Sequence, residues 1–183
     1  MKRALKIAKW FFLVWGVISF FAILFSGGCI FYSFTLGNRP TYSASKHDVR
    51  FVLNWCKLGN SRIAEVVHGY VSARSFTGDH LDGYAIRVTH LDVSELVYDK
   101  GRGGAGWYRG DALSGVAKEA VDFAAMWLGR EEMSWFPTID KIRSSEMYVY
   151  IQNVRFSGTQ PRAAQIIFAN PDDKMIYYFS AQF

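Results

Sequence analysis

The C-terminal stretch Met147–Phe183 decides the fold, and its sequence is MYVYIQNVRFSGTQPRAAQIIFANPDDKMIYYFSAQF. Three runs rich in β-branched and aromatic residues are separated by two turn-forming segments, SGTQPR and NPDDK. Such runs are typical of β-strands, and turns this short connect antiparallel neighbours. The pattern therefore predicts a three-strand antiparallel meander, with strands at Met147–Phe156, Ala163–Ala169 and Met175–Phe183.

Two helices and a hairpin are predicted upstream of this meander. Alternating apolar residues indicate two strands joined around TGDHLDG, and apolar stripes of helical spacing indicate the helices. The predicted elements are a helix at Lys46–Leu58 preceded by a Ser45–Asp48 cap, strands at Arg62–Phe76 and Tyr84–Asp92, and a helix at Ala112–Leu128 capped by Asp111. Helices packed on one face of an antiparallel sheet give an α+β fold class, with a domain at residues 46–183.

The pairing register of the hairpin bears on whether its histidines can share a metal ion. Placing His68 opposite His90 would align polar with apolar residues, whereas placing Val71 opposite Val88 aligns apolar with apolar. Because a slip of one residue moves every side chain to the other face, burial favours the second register. We therefore expect His68 and His90 on opposite faces, and we predict no metal site.

An apolar run near the N-terminus predicts a membrane anchor. Residues 10–38 contain no charged side chain, and a span needs about 20 such residues. Within this run the stretch ILFSGGCIFYSF, Ile23–Phe34, also resembles a lipoprotein processing site, since small glycines precede Cys29. However, Ser26 replaces the usual aliphatic residue and no polar tether follows. We expect an uncleaved anchor in contact with the lipid bilayer through residues 10–36, with acylation of Cys29 or ordinary cleavage as the alternatives.

Flanking charge predicts the orientation of this anchor. The short N-terminal tail, residues 1–9, is strongly basic, and the predicted tether at 37–45 is much less so. Basic residues favour the cytoplasmic side. We therefore expect a bacterial inner-membrane protein with its N-terminus in the cytoplasm and its C-terminal domain in the periplasm. The residues that carry the basic tail are Lys2, Arg3, Lys6 and Lys9.

The charge balance of the domain argues against nucleic-acid binding. The chain has 21 Lys and Arg and 16 Asp and Glu, and four of the basic residues precede the apolar run. That leaves 17 basic against 16 acidic residues, so the domain has no electrostatic footprint for a phosphate backbone. Cys29 and Cys56 are the two cysteines, and we expect Cys56 to be a buried apolar side chain rather than a disulfide partner.

A glycine-rich loop at Tyr98–Asp111, YDKGRGGAGWYRGD, offers the candidate interaction site. Its glycines match the dinucleotide-binding pattern formally, but no buried strand enters the loop and no helix opens at its end. Its aromatic and basic residues instead belong to the types enriched at interface hot spots. The candidate partner-binding residues are Tyr98, Lys100, Arg102, Trp107, Tyr108 and Arg109. We expect Trp107 to be a surface anchor and Trp127 to lie in the core.

No catalytic constellation or cofactor site is predicted. Ser114 lies inside a predicted helix without a nucleophile elbow, and the adjacent carboxylates Glu131 and Glu132 diverge on any regular element. We expect a non-enzymatic domain that binds a protein partner, as an accessory subunit of an envelope complex or an immunity-type inhibitor. The alternatives are a periplasmic sensor of a small ligand or lipid, and an unrecognised envelope enzyme.

The fate of Cys29 can be tested by intact-mass measurement of the purified full-length protein. Because the apolar run is long enough to span and lacks the lipoprotein pattern, we expect the mass of a chain that keeps its N-terminus and carries no diacylglycerol. A mature chain beginning at Cys29 would contradict a retained anchor.

Overall fold

The computed structural model describes residues 2–35, 38–96 and 106–183, which form two compact units, Met1–Arg39 and Pro40–Phe183. The first unit is helix α1, Lys2–Thr35. Its segment Lys9–Tyr32 is 24 residues long and apolar enough to cross a membrane, by length and composition. Signal sequences share that property, so the helix is compatible with a membrane anchor and also with a signal sequence.

The second unit is an α+β domain built on an antiparallel sheet of six strands. Its strands are β1 (Ile63–Val71), β2 (His80–Val88), β3 (Trp107–Arg109), β4 (Tyr148–Ser157), β5 (Gln160–Asn170) and β6 (Met175–Gln182). Its α-helices are α2 (Arg50–Trp55), α3 (Gly115–Ala125) and α4 (Ile139–Ile142). The strand order across the sheet is β1-β2-β6-β5-β4-β3. The predicted meander, β4 to β6, is confirmed, and β2 joins it by pairing with β6.

Both faces of the sheet are covered, so the expectation of helices on one face is wrong. Phe168 and Phe179 belong to a buried cluster with α3. The residues immediately before them on the same strands, Ile167 and Tyr178, belong to a second cluster with α2. Successive side chains of a strand point to opposite faces, so α2 and α3 lie on opposite sides of the sheet.

The predicted register of the hairpin is also wrong. Val71 pairs with Asp82, and Val88 pairs with Ile63 near the other end of β1. Two irregularities within β1 shift the register, and the strand ends at Val71 instead of continuing to Phe76. β1 is the outer strand and many of its residues are only partly buried, so burial does not impose the apolar-to-apolar alignment there.

Helices α2 and α3 both begin later and end earlier than predicted. Helix α2 is shorter than predicted, and its N-cap residue is Val49, which has no side-chain capping hydrogen bond. The backbone N–H of Ser45 does donate to Oδ2 of Asp48 at 2.8 Å, but this contact belongs to the turn before the helix, so the prediction that it caps the helix is wrong. Helix α3 begins after Ser114, because the chain first forms a 3₁₀ turn at Gly110–Ala112. Asp111 lies in that turn and pairs with Arg109, so it does not cap the helix.

The cysteine prediction is confirmed, since Cys56 is 3% exposed. Burial raises the pKa of its thiol to about 12, which keeps it protonated and unreactive at neutral pH.

The structure places Trp107 in the core and Trp127 partly buried against the cluster with α3. Trp107 is 4% exposed, because β3 pairs with β4 and places its ring 5.4 Å from that of Tyr150. Trp127 follows α3 and is only partly buried. The expectation that Trp107 is a surface anchor is therefore wrong, because the side chain fills the core on the α2 face.

We expect Trp107→Ala to lower the free energy of unfolding by about 3–5 kcal/mol, because the truncated side chain leaves a cavity in a close-packed cluster. Urea unfolding of the full-length protein in detergent micelles, followed by near-ultraviolet circular dichroism, measures this change. Val116→Ala is the matched control, since Val116 is 52% exposed and its loss should cost about 0.5 kcal/mol or less. Equal destabilisation by the two variants would place Trp107 outside the core.

Candidate functional site

The predicted interaction loop supplies little of a site in the described part of the chain. Tyr98, Lys100 and Arg102 lie outside the described residues. Tyr108 is half-buried and packs against the α3-side cluster. Arg109 is exposed, with its Nε 2.5 Å from Oδ1 of Asp111.

Three side chains near the end of β2 have the composition of a metal site. His90, Asp92 and Glu95 are exposed, and their ligand atoms lie within 4.8 Å of one another. However, Arg62 donates to both carboxylate oxygens of Glu95, at 2.5 and 2.7 Å. A metal ion there would have to displace a guanidinium, so Arg62 fills the role of the cation and we assign no metal.

The same ion pair predicts a pH dependence of stability. The hydrogen bonds from Arg62 lower the pKa of Glu95 from 4.5 to about 2. A carboxylate with a lowered folded-state pKa stabilises the fold above its unfolded pKa, and that contribution is lost as the pH falls through the folded value. The contribution of this pair is therefore present at pH 5 and disappears between about pH 4.5 and pH 2.

We expect the stability difference between the wild type and Arg62→Gln to shrink as the pH falls from 5 to 2.5, because the variant lacks the pair at every pH. Thermal unfolding midpoints of the full-length protein in micelles measure this difference. Arg50→Gln is the control, since Arg50 is exposed and forms no ion pair within the described residues. A difference that stays constant over this range would contradict the assigned pKa.

A second group has the geometry of a nucleophile and its base. Nε2 of His80 lies 3.0 Å from Oγ of Ser180, and Nδ1 of His80 lies 3.0 Å from the carbonyl oxygen of Gly78. A carbonyl only accepts, so Nδ1 carries the proton and Nε2 accepts from the serine hydroxyl. However, Ser180 is 2% exposed on a central strand, which prevents a substrate carbonyl from reaching it. The pair serves to link β2 to β6.

A cavity of about 630 Å³ lies at the outer edge of the sheet, beside β1. We call it the edge cavity. Three separate segments of the chain build it: the segment that enters the domain, β1 and the 3₁₀ turn after α3. Its lining residues are Tyr42, Ser43, Ala44, Val66, Val67, His68, Gly69, Glu131, Glu132 and Trp135.

The entering segment covers only part of the β1 edge. Thr41 and Val71 exchange two backbone hydrogen bonds of 2.8 Å, so part of the predicted tether adds to the sheet. The chain then crosses over Gly69, where an added Cβ would lie 3.1 Å from Cβ of Ala44. That distance is tighter than most Cβ contacts, so a larger residue at this position would push Ala44 away by a few tenths of an ångström. Beyond it, Val66, Val67 and His68 line the cavity without this cover.

Aromatic rings form one wall of the edge cavity. The rings of His68 and Trp135 stack with centroids 5.2 Å apart and planes 17° apart. The indole Nε1–H of Trp135 donates to the backbone oxygen of Glu132 at 3.0 Å, which fixes the ring against the turn. Tyr42 is 66% exposed and lies 5.4 Å from the ring of Tyr70.

Carboxylates give the edge cavity its charge. Glu131 and Glu132 are exposed, and neither takes part in an ion pair in the described part of the chain. No Lys or Arg is among the lining residues. Unpaired carboxylates beside aromatic faces suit a cationic group, which gains from both charge attraction and cation–π contact. The arrangement can therefore bind a positively charged side chain or a small organic cation.

Sequence patterns carry only weak signals for this site. Glu131 and Glu132 are adjacent carboxylates that predict no catalytic pair, and Trp135 lies in an irregular segment, REEMSWFPTIDK, without periodicity. An aromatic residue next to two carboxylates in a loop is the signal that was available. No sequence pattern indicates that this turn lies beside the edge of β1.

Comparisons of this chain with protein-family models, curated proteins and solved structures find no match.

Proposed function

We propose that this is a single-pass inner-membrane protein whose C-terminal domain lies in the periplasm and binds a protein partner through the edge cavity. The observation that carries the proposal is the combination of unpaired carboxylates and aromatic rings beside an incompletely covered sheet edge. Interfaces concentrate their binding energy in a few aromatic and charged residues around a pocket. With such a partner, this protein would act as an accessory subunit of an envelope complex or as an immunity-type inhibitor.

The membrane and periplasmic parts of the proposal rest on the apolar helix and its flanking charges. Four basic residues precede the span Lys9–Tyr32 or begin it, and such residues favour the cytoplasmic side. The domain that follows the helix then lies on the opposite side of the membrane.

Binding of a small cationic ligand is the second candidate function. The volume of the edge cavity, about 630 Å³, falls within the range of roughly 300–1,000 Å³ common for small-molecule sites. Such a ligand would use the same carboxylates and rings, so the two functions differ in what occupies the cavity.

Photo-crosslinking in intact cells tests the proposal. We expect benzoylphenylalanine at Tyr42, which lines the cavity, to give a discrete adduct with one envelope protein. Phe156→benzoylphenylalanine is the matched aromatic control, since Phe156 is 41% exposed and lies on β4, away from β1 in the strand order. Because glutamine lacks the negative charge that attracts a cation, Glu131→Gln with Glu132→Gln should strongly weaken the Tyr42 adduct.

The outcomes separate the two candidates. An adduct with a cytoplasmic protein would contradict the periplasmic placement. Absence of any protein adduct at Tyr42, together with a shift of Trp135 fluorescence on addition of a small organic amine to the full-length protein in micelles, would favour the ligand function. Equal adducts at Tyr42 and Phe156 would mean that contact at the edge cavity is non-specific.

A further inference from the structure

The outer strand of the sheet, β1, already pairs with an extended segment at one position on its open side. Thr41 and Val71 exchange two backbone hydrogen bonds of 2.8 Å. In the register of β1 with β2, Val71 lies opposite Asp82. The N–H and C=O groups of Val71 therefore point away from β2, and an extended segment of the same chain satisfies them.

The register identifies two further positions of β1 with outward backbone groups. In an antiparallel pair, residues at steps of two along a strand direct their N–H and C=O groups to the same side. Tyr84 and Ile86 follow Asp82 at steps of two on β2, which pairs regularly with β6. Their partners on β1 are Gly69 and Val66. These two residues therefore also direct their backbone groups away from β2.

Of the three positions, Val66 is the one that the entering segment leaves open. That segment crosses Gly69, where an added Cβ would lie 3.1 Å from the backbone nitrogen of Ala44. Val66 lines the edge cavity, and its N–H and C=O have no hydrogen-bond partner in the described part of the chain. Unpaired backbone groups on an outer strand are a template for a further strand.

The two sides of the sheet differ in chemistry beside Val66. The Val66 side chain packs against the α2-side cluster. Trp135 packs against the α3-side cluster, and Glu131 and Glu132 precede it in a turn whose Met133 is buried in the same cluster. Successive side chains of a strand point to opposite faces. A residue paired with Val66 would therefore face the apolar α2 side, and its two neighbours would face the side with the carboxylates.

We propose that the edge cavity binds an extended segment of the partner in which an apolar residue is flanked by arginine or lysine. The apolar residue exchanges two backbone hydrogen bonds with Val66, in the way that Thr41 does with Val71. The flanking cations meet the unpaired carboxylates and the face of Trp135, which attract positive charge.

The shape of β1 limits the length of this segment. Two irregularities lie on either side of Glu65 and Val66, and such irregularities bend a strand and interrupt its ladder. The partner segment therefore pairs over a few residues only. This inference rests on the proposed function, and it adds the conformation and the sequence pattern of the partner.

Hydrogen-exchange NMR of the full-length protein in zwitterionic micelles tests the proposal. The probe is the peptide threonine-arginine-valine-arginine-threonine, acetylated and amidated at its ends. We expect saturable binding that slows exchange of the Val66 amide about tenfold or more, the scale of one added hydrogen bond. The Val71 amide is the internal control, because it already donates to Thr41 and its exchange should not change.

A modified peptide separates backbone pairing from attraction of charge. Methylation of the central valine nitrogen removes the N–H that donates to the carbonyl oxygen of Val66 and keeps both arginines. We expect this peptide to bind about tenfold more weakly. A peptide with glutamate in place of both arginines should not bind, because its charges repel the carboxylates of the cavity.

Substitution of the carboxylates supplies the matched protein variants. We expect Glu131→Gln with Glu132→Gln to weaken binding of the unmodified peptide about tenfold or more, the scale of a lost charge-assisted hydrogen bond. Glu119→Gln with Glu146→Gln removes the same charge from two exposed positions outside the cavity and should leave binding unchanged. An unshifted indole signal from the buried Trp107 would establish that each variant is folded.

Three outcomes would overturn the proposal. Equal affinity for the methylated and unmodified peptides would exclude strand pairing, and weaker binding to the glutamine variant would then leave the cation site of the proposed function in place. Equal affinity for the glutamate peptide would exclude the basic pattern. Failure of every peptide to bind would exclude an extended basic segment, whereas the proposed function itself fails when the photo-adduct at Tyr42 is also absent.

Discussion

Alternate residues of β5 and β6 enter opposite hydrophobic clusters, so both strands must be covered on two faces at once. Phe168 and Phe179 are fully buried in the cluster with α3, and Ile167 and Ile176 are fully buried in the cluster with α2. Exposing either face would return large apolar surfaces to water. The sheet therefore acts as the middle layer of three, and the other elements are arranged to cover its centre.

The outer parts of the sheet escape this requirement, and the edge cavity lies there. The α2 helix has six residues and α3 has eleven, too few to cover six strands from end to end. The edge cavity forms along β1, the outer strand. Polar and charged side chains remain accessible at these positions because the core does not need them.

The near-neutral charge of the domain conceals a local excess of negative charge at the edge cavity. Glu131 and Glu132 line it and form no ion pair in the described part of the chain, and no Lys or Arg is among its lining residues. Exposed and partly buried aromatic rings lie beside these carboxylates. Such a local charge suits a cationic ligand, and the total charge of the chain gives no indication of it.

By itself, the sequence determined the features that depend on neighbours along the chain. The apolar run that forms α1, the β4–β6 meander, the α+β class and the Ser45–Asp48 hydrogen bond all follow from local composition, turn residues and period. The burial of Cys56 followed from its place on an apolar stripe. These properties are set within a few residues, where spacing alone decides which side chains meet.

Only the tertiary structure decided which segments meet from far apart in the chain. Trp107 is buried because β3 pairs with β4, about forty residues later, and Trp127 is only partly buried, with its ring stacked on that of Phe183. The hairpin register, the use of both sheet faces and the edge cavity depend on such contacts. Periodicity predicts which face of a helix or strand is apolar, but the burial of that face depends on contacts with segments that are distant in the sequence.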